Sequence, residues 1–291
     1  MPAGSDLRLG WGDVLFGGAG LVVLAALWRA DVIRPGSFRR RGTRAVPWPW
    51  WFFLLCLATV YFLQGLAVVI AAAVVGPPVG EGPDAAAADA VVQVVASAVG
   101  GLGGLVLLTV VARWTPGPAS AHGLGFRPVG RAVLVGLGAI VLSMPVVALS
   151  GLIAQILYTL ATGQPTHTLN HDTLRILSDD PNSPAAWALA AAAVVGAPIV
   201  EELIFRVFLQ TALLGATGRA WLAVLLTSFL FAGVHLGAGV QETEAYVLVP
   251  LFVLGAAMGI AYERSRNVLV PIVMHAAFNG INIALTLAMT A

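Results

Sequence analysis

The stretch "APIVEELIFR", residues 197–206, sets two carboxylates, Glu201 and Glu202, and a guanidinium, Arg206, inside an otherwise apolar run. Successive residues on a helix point about 100° apart, so the two glutamates face different directions. Arg206 follows Glu202 by four residues, the spacing at which opposite charges meet on one helix face. That pairing leaves Glu201 free for chemistry. His235 is its first partner. Glu201 precedes the turn near Gly215 to Gly218 by about 16 residues and His235 follows it by about 18, so a constant rise per residue brings them to similar depth in an antiparallel hairpin. "HAAFN" adds His275 and Asn279, one turn apart on one face of the last helix. His275 lies about nine residues past the turn at Ser265 to Asn267, roughly 13 Å into that helix. The remaining histidines, His122, His167 and His171, fall in connecting segments.

A carboxylate and two imidazoles in a dry cavity suit two mechanisms, both ending in hydrolysis of an amide bond. In one, Glu201 and His235 deprotonate a water while His275 and Asn279 donate hydrogen bonds to the oxyanion on the scissile carbonyl. In the other, zinc held by Glu201, His235 and His275 lowers the pKa of its bound water and a second glutamate acts as base. The sequence leaves both open. A purely structural reading is also available, because a lone intramembrane histidine can serve as an interhelical hydrogen-bonder and a Glu–Arg pair can pin helices together. Six polar groups at compatible depth are harder to obtain from packing alone. The rival function is a transporter, which keeps such groups at mid-membrane for proton coupling. Against it, the two halves of the chain show no matched broken helices, and the polar residues gather in the last four spans. Other proteolytic designs fit less well. No H-E-x-x-H occurs. "GWGD", Gly10 to Asp13, lacks the second intramembrane aspartate that its chemistry requires. "LSG", Leu149 to Gly151, is preceded by Ala148 where a rhomboid-type serine motif has glycine.

The elements that must hold these groups are transmembrane helices. Of 291 residues, 59% are hydrophobic and 10% charged, against about a quarter charged in a soluble domain. The expected class is all-α, a polytopic membrane protein. A spanning helix needs about 20 mostly apolar residues, and eight candidates stand out: 12–28, 50–75, 87–112, 131–160, 185–213, 220–237, 247–263 and 268–289. The first reads as a retained helix rather than a cleaved signal, because no basic n-region precedes it. The single cysteine, Cys56, rules out an internal disulfide and a cysteine-rich metal site. Every basic side chain is arginine, and the Ala, Gly and Val content points to a GC-rich bacterial genome. The net charge of +1 carries no sign of nucleic-acid binding.

Arginines set the orientation. Arg29, Arg34, Arg39, Arg40, Arg41, Arg44, Arg113, Arg127, Arg131, Arg219, Arg264 and Arg266 all fall on one side if eight helices alternate. The opposite loops hold Glu81, Asp84, Asp172, Asp179, Asp180, Glu242 and Glu244, with Arg175 as their one basic residue. The arginine side is expected to be cytoplasmic, in the inner membrane of a cell, with both termini outside and the site in the cytoplasmic half. Trp48, Trp50 and Trp51 open the second span at an interface.

"EELIFR", "FAGVH" (Phe231 to His235) and "HAAFN" (His275 to Asn279) occur in the order and spacing of three motifs, and with them the chain resembles the CPBP family. These are CAAX-processing and bacteriocin-processing intramembrane proteases, also called type II CAAX prenyl endopeptidases or the Abi family. "APIVEELIFR", "PIVMHAAFN" and the earlier "HGLGFRP" extend the likeness. Val207 departs from the glycine that many members carry there. The resemblance divides the chain into N-terminal helices, 1–115, similar only in being membrane helices, and a catalytic core, 116–291. It implies that Glu201 and His235 activate water, that His275 and Asn279 stabilise the oxyanion, and that Glu202 and Arg206 support them. It also implies a peptide or protein substrate in or at the lipid bilayer, since eukaryotic members remove three residues from prenylated proteins. Some bacterial relatives act in bacteriocin immunity, so a non-proteolytic scaffold built on the same polar cluster is the second alternative.

Overall fold

The computed structural model describes residues 11–76, 83–164, 184–236 and 246–290. Among these the chain is helical with no strand. Its elements are α1 (Trp11–Arg29), α2 (Ser37–Arg41), α3 (Trp50–Val75), α4 (Pro83–Trp114), α5 (Val129–Thr162), α6 (Pro184–Thr217), α7 (Ala220–Gly233), α8 (Leu248–Ser265) and α9 (Leu269–Thr290). The eight apolar runs in the sequence correspond to α1 and α3 to α9. Six of them, α3, α4, α5, α6, α8 and α9, contain a stretch long and apolar enough to cross a membrane. The chain is thus a multi-pass, all-α membrane protein.

Two helices are shorter than a full span, the apolar part of α1 (Val14–Arg29) and α7. The sequence predicts helix to residue 237, yet α7 ends at Gly233 and His235 lies in the turn that follows. The physical reason is local. The last carbonyls of a helix lack backbone partners, and His235 Nδ1 lies 2.7 Å from Phe231 O. The side chain expected inside the helix instead caps its end.

The helix carrying the acidic pair, α6, is the hub. It packs against α3, α4, α7, α8 and α9. α4 joins α3 on one flank, while α5 contacts α8 and α9 on the other and carries α1 on its outer side. Close approach between α5 and α9 depends on Gly136. A Cβ there would lie 2.8 Å from Val273 Cβ and 2.9 Å from Val270 O. Backbone cannot yield as a side-chain tip can, so Gly136→Ala is expected to destabilise the protein by about 1–3 kcal/mol. Thermal unfolding in detergent checks this, with Gly138→Ala, where a Cβ meets nothing within 4 Å, as the control.

The arginine-bearing connections meet at one end of the bundle. Val268 N donates to Gly125 O at 3.2 Å, and Asn267 Nδ2 donates to Arg127 O at 3.4 Å. Arg264 Nη2 donates to Ser37 Oγ at 2.8 Å and to Val32 O at 3.2 Å. Gly215, near the end of α6, sits beside Val46 and Trp50. The acidic loop residues of the opposite side, Glu81, Asp172, Asp179, Asp180, Glu242 and Glu244, with Arg175, His167, His171 and the side chain of Asp84, lie outside the described residues.

Candidate active site

The site begins with an irregularity in α6. Residues Ala192–Gly196 and Leu203–Gln210 wind with the wider π-type turn, and Ala197–Glu202 between them is α-helical. Pro198 accounts for the first wide turn. Its ring has no N–H and would clash with the carbonyl four residues back in a regular helix, and a widened turn relieves both problems. The glutamates therefore sit on a short α segment between two wide turns, where the sequence predicts only a bend at Gly196 and Pro198.

Glu202 is fully committed. Arg206 Nε donates to its Oε2 at 2.8 Å, the i, i+4 pair expected from the spacing, and both side chains are completely buried. His275 Nδ1 lies 3.1 Å from its Oε1. A carboxylate paired with arginine can only accept, so this ring nitrogen carries a proton. His275 then presents Nε2, 3.9 Å from Glu201 Oε2. Glu201 differs from its neighbour in kind. Its side chain is 28% exposed, yet Oε2 is buried with no hydrogen-bond partner among the described residues. Two adjacent glutamates thus occupy opposite situations, one saturated and one uncommitted.

His235 is also set in a defined form. Phe231 O accepts only, so Nδ1 carries the proton and the lone pair of a neutral ring lies on Nε2. This is the form of imidazole that can take a proton or orient a water. Phe231 organises the surroundings. Its ring packs against His235 (4.9 Å between centroids), His275 (5.7 Å) and Phe205 (5.2 Å), and the Arg206 guanidinium lies 5.3 Å from its centroid. Asn279 Nδ2 donates to Ala193 O at 2.7 Å. The amide thereby ties α9 to the first wide turn of α6 and keeps one N–H for another acceptor.

All six sequence-selected residues lie on the three helices α6, α7 and α9 or the turn after α7, with Glu201, Glu202, Arg206 and His275 in direct succession. Among the described residues no hydrogen bond or ion pair joins Glu201 to His235 directly. For zinc the donors do not fit as they stand. Glu201, His235 and His275 do not converge, and no group of three His, Cys, Asp or Glu side chains among the described residues could hold a metal ion. His275 Nδ1 is engaged with Glu202 instead.

Sequence reasoning missed a second buried polar group next to the first. Arg44 Nε lies 3.0 and 3.1 Å from the two oxygens of Glu263, Nη1 donates to His122 O at 3.2 Å, and Nη2 donates to Thr211 Oγ1 at 2.8 Å. Gln210 Nε2 donates to Glu263 Oε1 at 2.9 Å. The sign in the sequence is Glu263, an acid beside Arg264 at the end of a mostly apolar helix.

The sequence model of the family described as type II CAAX prenyl endopeptidase Rce1-like matches residues 183–281. No curated protein and no solved structure matches the chain. The matched stretch contains Glu201, Glu202, Arg206, His235, His275 and Asn279 and runs from the start of α6 into α9. A protease of this family acts on a peptide or protein substrate at the membrane. Through residues 183–281, about a third of the chain, the protein is similar to the type II CAAX prenyl endopeptidase Rce1-like family, whose members are CAAX-type intramembrane endopeptidases.

Proposed function

We propose that the protein hydrolyses a peptide bond of a membrane-associated or lipid-modified substrate by a metal-free glutamate–histidine mechanism. The observation that carries this reading is the contrast between saturated Glu202 and uncommitted Glu201. A water between Glu201 and His235 Nε2 loses its proton to that pair as its oxygen bonds to the scissile carbonyl carbon. The oxyanion accepts hydrogen bonds from His275 Nε2–H and the second Asn279 N–H. The C–N bond then breaks and the captured proton passes to the leaving amine.

For His275 to donate from both nitrogens it must be an imidazolium. Glu201, Glu202, Arg206 and His275⁺ then carry two negative and two positive charges, a balanced set for a dry interior. Solvent and substrate reach the set through Glu201, its partly exposed member. The arginine-bearing end faces the cytoplasm by the positive-inside rule, which with eight crossings puts both termini outside.

The test is cleavage of lipidated and unlipidated reporter peptides by the purified protein, with and without a strong zinc chelator. The expected outcome is cleavage indifferent to the chelator. Inhibition that zinc reverses would overturn the metal-free mechanism in favour of zinc held by Glu201, His235 and His275. A pH-dependent ion flux in proteoliposomes that disappears in Glu202→Gln, with no cleavage of any reporter, would replace the protease with the transporter.

A further inference from the structure

Arg44 lies between α2 and α3, far outside the matched residues 183–281. Its side chain is nevertheless buried, and all three guanidinium nitrogens are engaged. Burial by itself would loosen the guanidinium's hold on its proton, but Tyr262 and Glu263 outweigh it and keep the pKa above the ordinary arginine value. The guanidinium lies 4.8 Å from the Tyr262 ring centroid, and the Tyr262 hydroxyl donates to Gly123 O at 3.2 Å. The His122 ring nitrogens lie 3.2 Å from Ala45 O and from Pro116 O. One side chain thus joins the N-terminal connection, the loop before α5, α6 and α8.

Its contact with α6 falls at a telling place. Thr211 Oγ1 accepts from Arg44 Nη2 and donates to Arg206 O at 3.4 Å. Gln210, the neighbouring residue, bridges Glu263 Oε1 and Gly259 O. Gln210 and Thr211 lie at the end of the second wide turn, which starts just after Glu202. A continuous chain of contacts therefore runs from Glu263 through Arg44 and Thr211 to Arg206, Glu202 and His275.

We propose that Arg44 is a positioning residue for the active site, fixing the second wide turn of α6 so that Arg206, Glu202 and His275 hold their register. This rests on the endopeptidase reading for its kinetic consequence and on the contacts alone for its structural one. Lysine would keep the charge but could not reach three separate acceptors from one planar head. A role limited to neutralising Glu263 would therefore survive Arg44→Lys, whereas positioning would not.

The experiment uses the full chain in detergent, labelled with 15N at histidine, the His275 ring signals being assigned by their loss in His275→Asn. Wild type, Arg44→Lys and Thr211→Val are compared below their unfolding temperatures. Thr211→Val removes only the hydroxyl that links Arg44 to the Arg206 carbonyl and guards against a lysine variant that does not fold. The expected result is a shifted His275 Nδ1 signal in both variants, and kcat lowered at least about tenfold with KM little changed. An unshifted His275 signal and an unchanged kcat in a folded variant would overturn the proposal. Shifted signals in a protein whose wild type cleaves no reporter would uphold the positioning network and overturn the endopeptidase reading instead.

Discussion

Glu201→Gln is expected to lower kcat for peptide cleavage by about 10²–10⁴-fold, the range for losing a positioned general base, and to leave the protein folded. Glutamine keeps the shape and polarity of the side chain and removes only its ability to hold a proton. Glu201 accepts no hydrogen bond at Oε2 from the described residues, so none of those bonds is lost there. His235→Ala should reduce cleavage comparably, but with a cost in stability, because it also strips the cap from Phe231 O at the end of α7. The measurement is steady-state cleavage beside thermal unfolding for each variant. Cleavage that persists in folded Glu201→Gln would end the assignment of Glu201 as the base.

Arg206→Ala should have a large effect of a different kind. It leaves the Glu202 carboxylate in a completely buried site with His275 as its one remaining partner among the described residues. Removing one member of a buried pair typically costs about 3–5 kcal/mol, while replacing both by apolar groups of similar volume is often neutral. The double variant Glu202→Leu/Arg206→Met is therefore expected to unfold nearer to wild type than Arg206→Ala does, and to lack activity. Two details sharpen the expectation. Arg206 Nη1 and Nη2 have no hydrogen-bond partner among the described residues, so Glu202 is the anchor of the guanidinium. The guanidinium also rests on the Phe231 ring, a contact that methionine can replace in part. Equal losses of stability in the single and double variants would show that the pair is not what holds the charges.

The parts of this architecture that were legible in the sequence are those with local causes. Eight apolar runs gave eight apolar helices because length and hydropathy decide such elements. Four-residue spacing gave the Glu202–Arg206 pair. Constant rise per residue gave the depth of His275 in α9, but not its contact with Glu202. The rest depended on contacts that neither hydropathy nor spacing reports. His235 leaves its helix because a free carbonyl at the helix end competes for its ring. The two wide turns in α6 come from Pro198 and from contacts with several neighbouring helices, and no periodicity announces them. Arg44 and Glu263 are 219 residues apart in the chain. In the sequence Arg44 is one of six arginines between the first two spans, read for topology alone, when in the structure it is buried and bonded.

The wide turns of α6 bear on how chains of this kind can be compared and how they can change. A π-type turn closes its hydrogen bond one residue later than an α turn, so the phase of the helix slips at residues 192–196 and again at 203–210. Counting in steps of 3.6 from Pro184 to Thr217 therefore assigns faces wrongly beyond the first slip. An insertion or deletion of one residue within a slip can be absorbed by a change between α and π winding, whereas the same change in a regular stretch turns one side against the other by about 100°. The short α segment Ala197–Glu202 is insulated on both sides by such slips. Its direction is set by what it touches, Arg206, His275 and the neighbouring helices, more than by the flanking residues that lead into it. Length changes confined to the slips are thus a route by which the helix could gain or lose a residue while the carboxylates keep their aim and the bundle around them keeps its order.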